Sequence, residues 1–264
     1  MKVHVAFIYM IIVMSMQLVS CRSTQGGEDH ANLESWNTIF PSTIPEISLG
    51  GAHIVVKDQN KPRIIRSQAP RNPKDYQELT AFGVTDVIIF KKESGHEVKD
   101  ELAEFKNRGL PGARLHHIPM AYKDFSDFEE PCRQTVEALK FIRDARKDDD
   151  RMILFHCTVG EDRTGYLAGL VILLETGGNT REVFKTEMCD KGYSSGNRVK
   201  PKNVTTRIDE DLTPVFAKMA LLIKSGQLSW SKLDASKICA TDPFNETLDS
   251  EARKEFNPRN FRCR

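Results

Sequence analysis

Residues 156–165 read His156-Cys157-Thr158-Val159-Gly160-Glu161-Asp162-Arg163-Thr164-Gly165. The stretch combines a thiol, an arginine and two glycines that let a backbone close around an anion. A thiolate attacks phosphorus only if its pKa falls from about 8.5 and if donors hold the phosphoryl oxygens while charge redistributes. Both requirements are met if a strand precedes the segment and a helix follows it. The amides from Thr158 through Val159, Gly160, Glu161 and Asp162 to Arg163 then converge at a helix N-terminus, where amides and dipole favour an anion. Arg163 adds a planar fork matched to two phosphate oxygens.

Both flanks fit that arrangement. Arg151-Met152-Ile153-Leu154-Phe155 is a short apolar run suited to a buried strand. Thr164 to Glu175 is apolar nearly all round and stops at Gly177-Gly178, as a buried helix would. Gly160 permits the turn, and Gly165 lets the helix start close to the sheet. The Thr164 hydroxyl is expected to hydrogen-bond the sulfur, and His156 to hydrogen-bond local backbone and stiffen the loop.

The motif resembles the phosphate-binding loop of the protein tyrosine phosphatase superfamily, in particular its compact dual-specificity-like branch. A rhodanese-type sulfurtransferase also carries a cysteine on an anion loop, but the Arg163-Thr164-Gly165 ending argues against one. The resemblance runs from about Ile44 to Gln227. It includes Ile65-Arg66-Ser67-Gln68-Ala69-Pro70, the Phe82-Gly83-Val84 step into a strand, and Glu187-Met188 with Gly192-Tyr193. It implies an α/β fold with a central mixed sheet flanked by helices, and catalysis through a phosphocysteine at Cys157 without metal or organic cofactor.

Periodicity agrees with that fold class. Strands are expected at Ile54–Val56, Arg63–Ile65, Val84–Phe90 and Leu115–Met120. Helices are expected at Pro73–Ala81, Val98–Asn107, Pro131–Arg146, Thr164–Glu175, Thr180–Asp190 and Leu212–Ile223. The chain has 264 residues, 39% hydrophobic and 28% charged, enough for one substantial core with terminal extensions. A net charge of +1 gives no support for nucleic-acid binding.

The first twenty residues read as an address. Lys2 supplies a positive start, Val5 to Met14 an apolar core too short to span a membrane comfortably, and Leu18-Val19-Ser20-Cys21 a cleavage region. That tetrapeptide resembles a bacterial lipobox, in which Cys21 would be acylated and anchor the protein to a membrane. A plain secretory signal is the alternative, and export follows from either. Residues 1–20 are thus read as a lipoprotein signal peptide, 21–46 as a polar tether, 47–227 as the phosphatase domain and 228–264 as a C-terminal extension.

Of six cysteines, Cys21 and Cys157 are assigned above, which leaves Cys132, Cys189, Cys239 and Cys263. In an oxidising compartment an even number suggests bridges. A Cys239–Cys263 disulfide is the preferred pair because the two bracket a polar tail that would otherwise fray, with Cys132 and Cys189 left as a second bridge or as free thiols. No CxxC or paired-histidine spacing suggests a metal.

The leaving oxygen needs a proton, and relatives commonly supply an aspartic acid from a loop upstream of the thiol. Asp124 and Asp127 both stand there. Asp124 follows the expected strand more closely and is preferred, whereas Asp127 suits a helix N-terminus near Pro131. Asp162, inside the loop, is a third candidate, because some lipid-directed relatives such as the myotubularins are thought to use an acid from this position.

Substrate choice would come from the pocket rim. Lys91 and Lys92 lie just after a strand end, Lys123 lies on the acid loop, and Lys191, Arg198, Lys200 and Lys202 cluster downstream. Such cations would suit a polyanion better than one phosphotyrosine, although most surface lysines are merely solvated. The loop also resembles that of phytases of the tyrosine phosphatase type, so an inositol polyphosphate is the expected substrate. Phosphotyrosine protein or phosphoinositide is the alternative, and a phosphate-binding module without turnover is the reading from a different class.

Overall fold

A computed structural model describes residues 42–59, 61–120, 127–245 and 250–263. Strands β1 (His53–Asp58), β2 (Lys61–Gln68), β3 (Asp86–Ile89), β4 (Leu115–His117) and β5 (Ile153–Cys157) form one mixed sheet in the order β1-β2-β5-β3-β4. Only the β1–β2 hairpin is antiparallel; β5 runs parallel to β2 and β3, and β3 parallel to β4. The strand that ends in Cys157 is therefore central, and Cys157 stands opposite Gln68 at its carboxyl end. Ligand sites of open α/β sheets form at such ends.

Strand alternation divides the core between the two faces. Ile64, Ile88, Ile153 and Phe155 pack in one cluster with α3 (Glu129–Ala145), α4 (Asp162–Thr176) and α7 (Thr213–Lys224). Ile65, Val87, Ile89 and Leu154 pack in the other with α1 (Pro73–Phe82) and α2 (Glu97–Asn107). A sheet covered on both faces needs apolar residues at consecutive positions, which is why β3 and β5 read as continuous hydrophobic runs. The α/β class expected from the sequence is the observed one. Helix α1 also starts where its sequence directs: Asn72 accepts from the amides of Lys74 and Asp75, and Asp75 reaches back to the Asn72 amide.

Other expectations need correction. The expected helix Thr180–Asp190 is only one turn long as α5 (Thr180–Val183). It then widens into a π turn (Phe184–Met188) and closes in a 3-10 turn (Cys189–Lys191) ahead of left-handed Gly192. Phe184 and Met188 are both buried, so the wider turn keeps two large side chains in the core. Helix α6 (Lys202–Arg207) has no buried residue and so no apolar period to reveal it. Ile44, expected in a tether, is 2% exposed and belongs to the second cluster.

The disulfides are Cys132–Cys239 and Cys189–Cys263, not Cys239–Cys263. The C-terminal extension is not polar throughout: Leu228, Leu233, Phe256 and Phe261 are buried in the first cluster, so each tail cysteine meets a cysteine of the core instead of its neighbour in sequence. Two short helices, α8 (Ala235–Ile238) and α9 (Ser250–Glu255), lie in this extension. Among the described residues, no helix is long and apolar enough to cross a membrane. The address, Cys21 and most of the tether lie outside the described residues.

Candidate active site

The loop between β5 and α4 has the strand-loop-helix form expected of it. Cys157 closes the strand, α4 starts at Asp162, and Gly160 between them has φ +74. A Cβ on Gly160 would lie 2.5 Å from Ser67 C and 2.6 Å from Ser67 O and would also strike Gln68 N, so the loop rests directly on the end of β2. Only glycine satisfies both the left-handed backbone and that approach. Ala69 N donates to Thr158 O, which ties the start of the loop to the end of β2.

Cys157 is a free thiol, 1% exposed. Arg163 is buried on the first turn of α4. Its Nη1 donates to Phe90 O (2.8 Å) and Met120 O (3.0 Å), carbonyls just beyond β3 and β4, and its Nη2 donates to Thr158 Oγ1 (3.4 Å). The guanidinium is thereby fixed beside the loop by three strand ends. Such anchoring spares the rotamer entropy that a long side chain would otherwise lose on binding an anion.

Arg66, which the sequence reading did not place in the site, holds the loop from behind. It is fully buried on β2; Nη2 donates to Gly160 O (2.7 Å) and Glu161 O (3.2 Å), and Nη1 donates to Glu187 O (2.8 Å). Turning those carbonyls outward leaves the corresponding amides free to face an anion. Burial lowers the Arg66 pKa to about 10; the nearby sulfur of Cys157 and the carboxylates of Glu187, Glu161 and Asp162 oppose that fall. Arg66 therefore remains charged at neutral pH, a permanent cation near the nucleophile.

The two acidic loop residues point away from an incoming phosphate. Glu161 and Asp162 are 3% and 2% exposed. Asp162 Oδ1 accepts from Ser194 N (2.9 Å) and Lys200 Nζ (2.6 Å), while Glu161 accepts from Asn197 Nδ2 (3.0 and 3.2 Å) and lies 3.0 Å from Lys200 Nζ. Lys200 is thus an internal counter-ion and not the rim cation expected of it. Asp162, offered as an alternative acid, is engaged behind the loop.

His156 makes a different contact from the expected one. Its Nε2 lies 2.6 Å from Glu101 Oε1 on α2, out of line with a ring N–H, and its Nδ1 has no hydrogen-bond partner. Glu101 Oε2 lies in turn 3.6 Å from Lys91 Nζ, which is also 3.1 Å from Glu97 Oε2. Lys91 is therefore turned toward α2, and its expected place on the rim is corrected. Lys191 pairs with Glu187. Thr164 Oγ1 is buried without a hydrogen-bond partner, so the expected bond to sulfur is not formed.

Asp127 sits just ahead of α3, where its Oδ1 accepts from Glu130 N (3.3 Å), in keeping with a helix-start role. Asp124 and Lys123 lie outside the described residues. Among the described residues no cluster of histidine, cysteine and carboxylate side chains could hold a metal ion.

The comparison with curated proteins returns no match. Among solved structures, P. aeruginosa TpbA is similar with a TM-score of 0.44 and 16% identity over 69% of this chain and 94% of that one. Cydia pomonella PTP-2 phosphatase has a TM-score of 0.42 and 14% identity over 60% and 86% of the two chains. The kinase associated phosphatase gives 0.39 and 18%, over 56% and 83%. Residues 49–185, just over half of the chain, match the model of the tyrosine phosphatase family. The chain belongs to that family and is a phosphatase of the cysteine-dependent type.

Proposed function

We propose that the protein is an exported, lipid-anchored phosphomonoesterase that removes phosphate from inositol polyphosphates. The observation that carries the chemistry is the buried thiol of Cys157 at the mouth of an amide loop between two fixed guanidinium groups, Arg66 and Arg163. Cys157 attacks phosphorus, the P–O bond to the leaving group breaks, and Asp124 delivers the proton that the departing oxygen takes up. Water then attacks the phosphocysteine and gives a proton to the Asp124 carboxylate, the S–P bond breaks, and the thiolate and inorganic phosphate are released.

Export is supported by the leader and by cysteine usage. Two disulfides join Cys132, Cys189, Cys239 and Cys263, a pattern suited to an oxidising compartment. Anchoring is supported by Cys21 at the end of its lipobox-like tetrapeptide.

The polyanion reading draws on fewer cations than the sequence offers. With Lys91, Lys191 and Lys200 turned to carboxylates, Lys92, Arg198 and Lys202 remain for it among the described residues, and Lys123 lies outside them. The inward turn of Lys91 and Lys200 favours a second reading, phosphotyrosine protein as substrate. A phosphate-release panel of phytate, phosphoinositides and a phosphotyrosine peptide in one buffer separates the two. Phytate should be preferred, and added salt should weaken it more than the peptide because screening acts on exposed pairs. A peptide that is the better substrate would install the second reading. Cys157→Ser should leave less than about a hundredth of the activity on every substrate, because a hydroxyl without a general base is a poor nucleophile.

A further inference from the structure

A loop that must bind a phosphoryl dianion carries two carboxylates in succession, Glu161 and Asp162. Unneutralised, they would oppose the anion that the amides and Arg163 attract, and each would be costly to bury. The chain resolves this with a single ammonium from a distant segment. Lys200 is buried, and its Nζ lies 2.6 Å from Asp162 Oδ1 and 3.0 Å from Glu161 Oε2 and donates to Gly192 O at 2.9 Å.

The segment that carries Lys200 is itself tightly held. Gly192 has a left-handed backbone with φ +92, and a Cβ there would lie 2.8 Å from Glu161 Cδ, so glycine suits this close approach to the loop. Ser194 Oγ donates to Asp209 Oδ1 (2.6 Å), Ser195 Oγ donates to Cys263 O (2.7 Å), and Cys189 is bridged to Cys263. Burial alone would lower the Lys200 pKa, but Asp162 and Glu161 more than offset it and the net shift is upward, so the ammonium stays charged.

We propose that Lys200 is a positioning residue of the phosphate loop: from behind, it draws Glu161 and Asp162 away from the bowl and offsets their negative charge, so that the loop presents only donors to the oxyanion. This deepens the phosphatase reading and rests on it. Lys200 never touches substrate; it acts through two residues whose amides do. The anion a misaligned loop would lose is a tetrahedral dianion of any kind, so tungstate serves as the probe.

The test measures tungstate affinity by calorimetry and thermal unfolding on the full chain, with hydrolysis of an aryl phosphate alongside. Lys200→Met should weaken tungstate binding at least tenfold in the folded protein. Adding Glu161→Gln and Asp162→Asn to that variant should restore affinity to within about threefold, because no charge then needs a counter-ion and the buried set becomes neutral. A Lys200→Met protein that unfolds more easily yet binds tungstate like the wild type would reduce Lys200 to a purely structural residue and overturn the proposal. So would a triple variant that fails to fold, or that folds and still binds tenfold more weakly, since the three side chains would then do more than offset one another's charge. A wild-type chain that neither hydrolyses aryl phosphate nor binds tungstate would instead remove the phosphatase reading itself.

Discussion

Glu101 Oε1 lies 2.6 Å from Nε2 of His156, the residue before the nucleophile, although the two are far apart in sequence. Both side chains are buried, and Glu101 on α2 also pairs with Lys91, which follows β3. The contact sets Glu101 against the imidazole beside the backbone from which Cys157 projects. We expect Glu101→Gln to cost about 1–3 kcal/mol of stability, as loss of a buried charged contact does. It should also lower kcat more than it raises KM, because misplacement of a nucleophile is felt in the chemical step. Steady-state kinetics beside a chemical denaturation curve decide it; loss of stability with unchanged kcat would make the contact structural only.

The disulfides make a second expectation. Cys132–Cys239 and Cys189–Cys263 close loops of sequence separation 107 and 74, and cross-links of this span restrict the unfolded chain by roughly 4–5 kcal/mol in the chain-entropy model. Replacing Cys132 and Cys239 together by alanine should lower the unfolding free energy by about 2–5 kcal/mol. Peptide mapping under non-reducing conditions should recover the 132–239 and 189–263 pairs. Recovery of a 239–263 peptide would contradict the observed pairing.

Local spacing made Cys157, Gly160 and Arg163 legible, because a strand, a loop and a helix place consecutive residues without help from the rest of the chain. The sheet was legible for a similar reason: β3 and β5 are apolar at successive positions, as strands covered on both faces must be. The residues behind the loop were not. Arg66 reaches Gly160 and Lys200 reaches Asp162 across sequence distances that no periodicity spans. Lys200 in particular looked like any solvated lysine, since burial of an ammonium depends on carboxylates brought up by another element. The cysteine pairing failed similarly: proximity in sequence favoured Cys239 with Cys263, whereas burial of Phe256 and Phe261 carried the tail across the core.

Glu161 gives the fold a pH dependence. Burial raises its pKa from 4.5 to about 7, with Asp162 pushing the same way while Lys200 and Asn197 oppose it. The folded chain therefore holds this proton more tightly than the unfolded one. Between about pH 4.5 and pH 7 the unfolded state binds fewer protons at this site, so its contribution to stability falls as pH rises. We expect Glu161→Gln to gain in thermal midpoint relative to the wild type across that window and to level off above it. A difference that stays flat from pH 4.5 to pH 8 would show that Glu161 is ionised in the fold throughout.

Leaving-group chemistry tests Asp124 as the general acid against Asp162. An alkyl phosphate departs as a strongly basic alkoxide and needs its proton in the transition state, whereas an activated aryl phosphate leaves largely unaided. Asp162 is 2% exposed and its Oδ1 is engaged by Ser194 N and Lys200 Nζ, so its proton has no path to a leaving oxygen on the other side of the loop. Its replacement by asparagine should disturb the loop and slow both substrate types alike. Asp124→Asn should instead cost about 10²–10⁴-fold on the alkyl ester, the usual worth of a positioned acid, and only a few-fold on the aryl ester. The basic limb of kcat against pH should flatten in Asp124→Asn, because no acid is then left to lose its proton. Equal losses on the two esters would take Asp124 out of this role, and a selective loss in Asp162→Asn would require that side chain to swing through the loop during turnover.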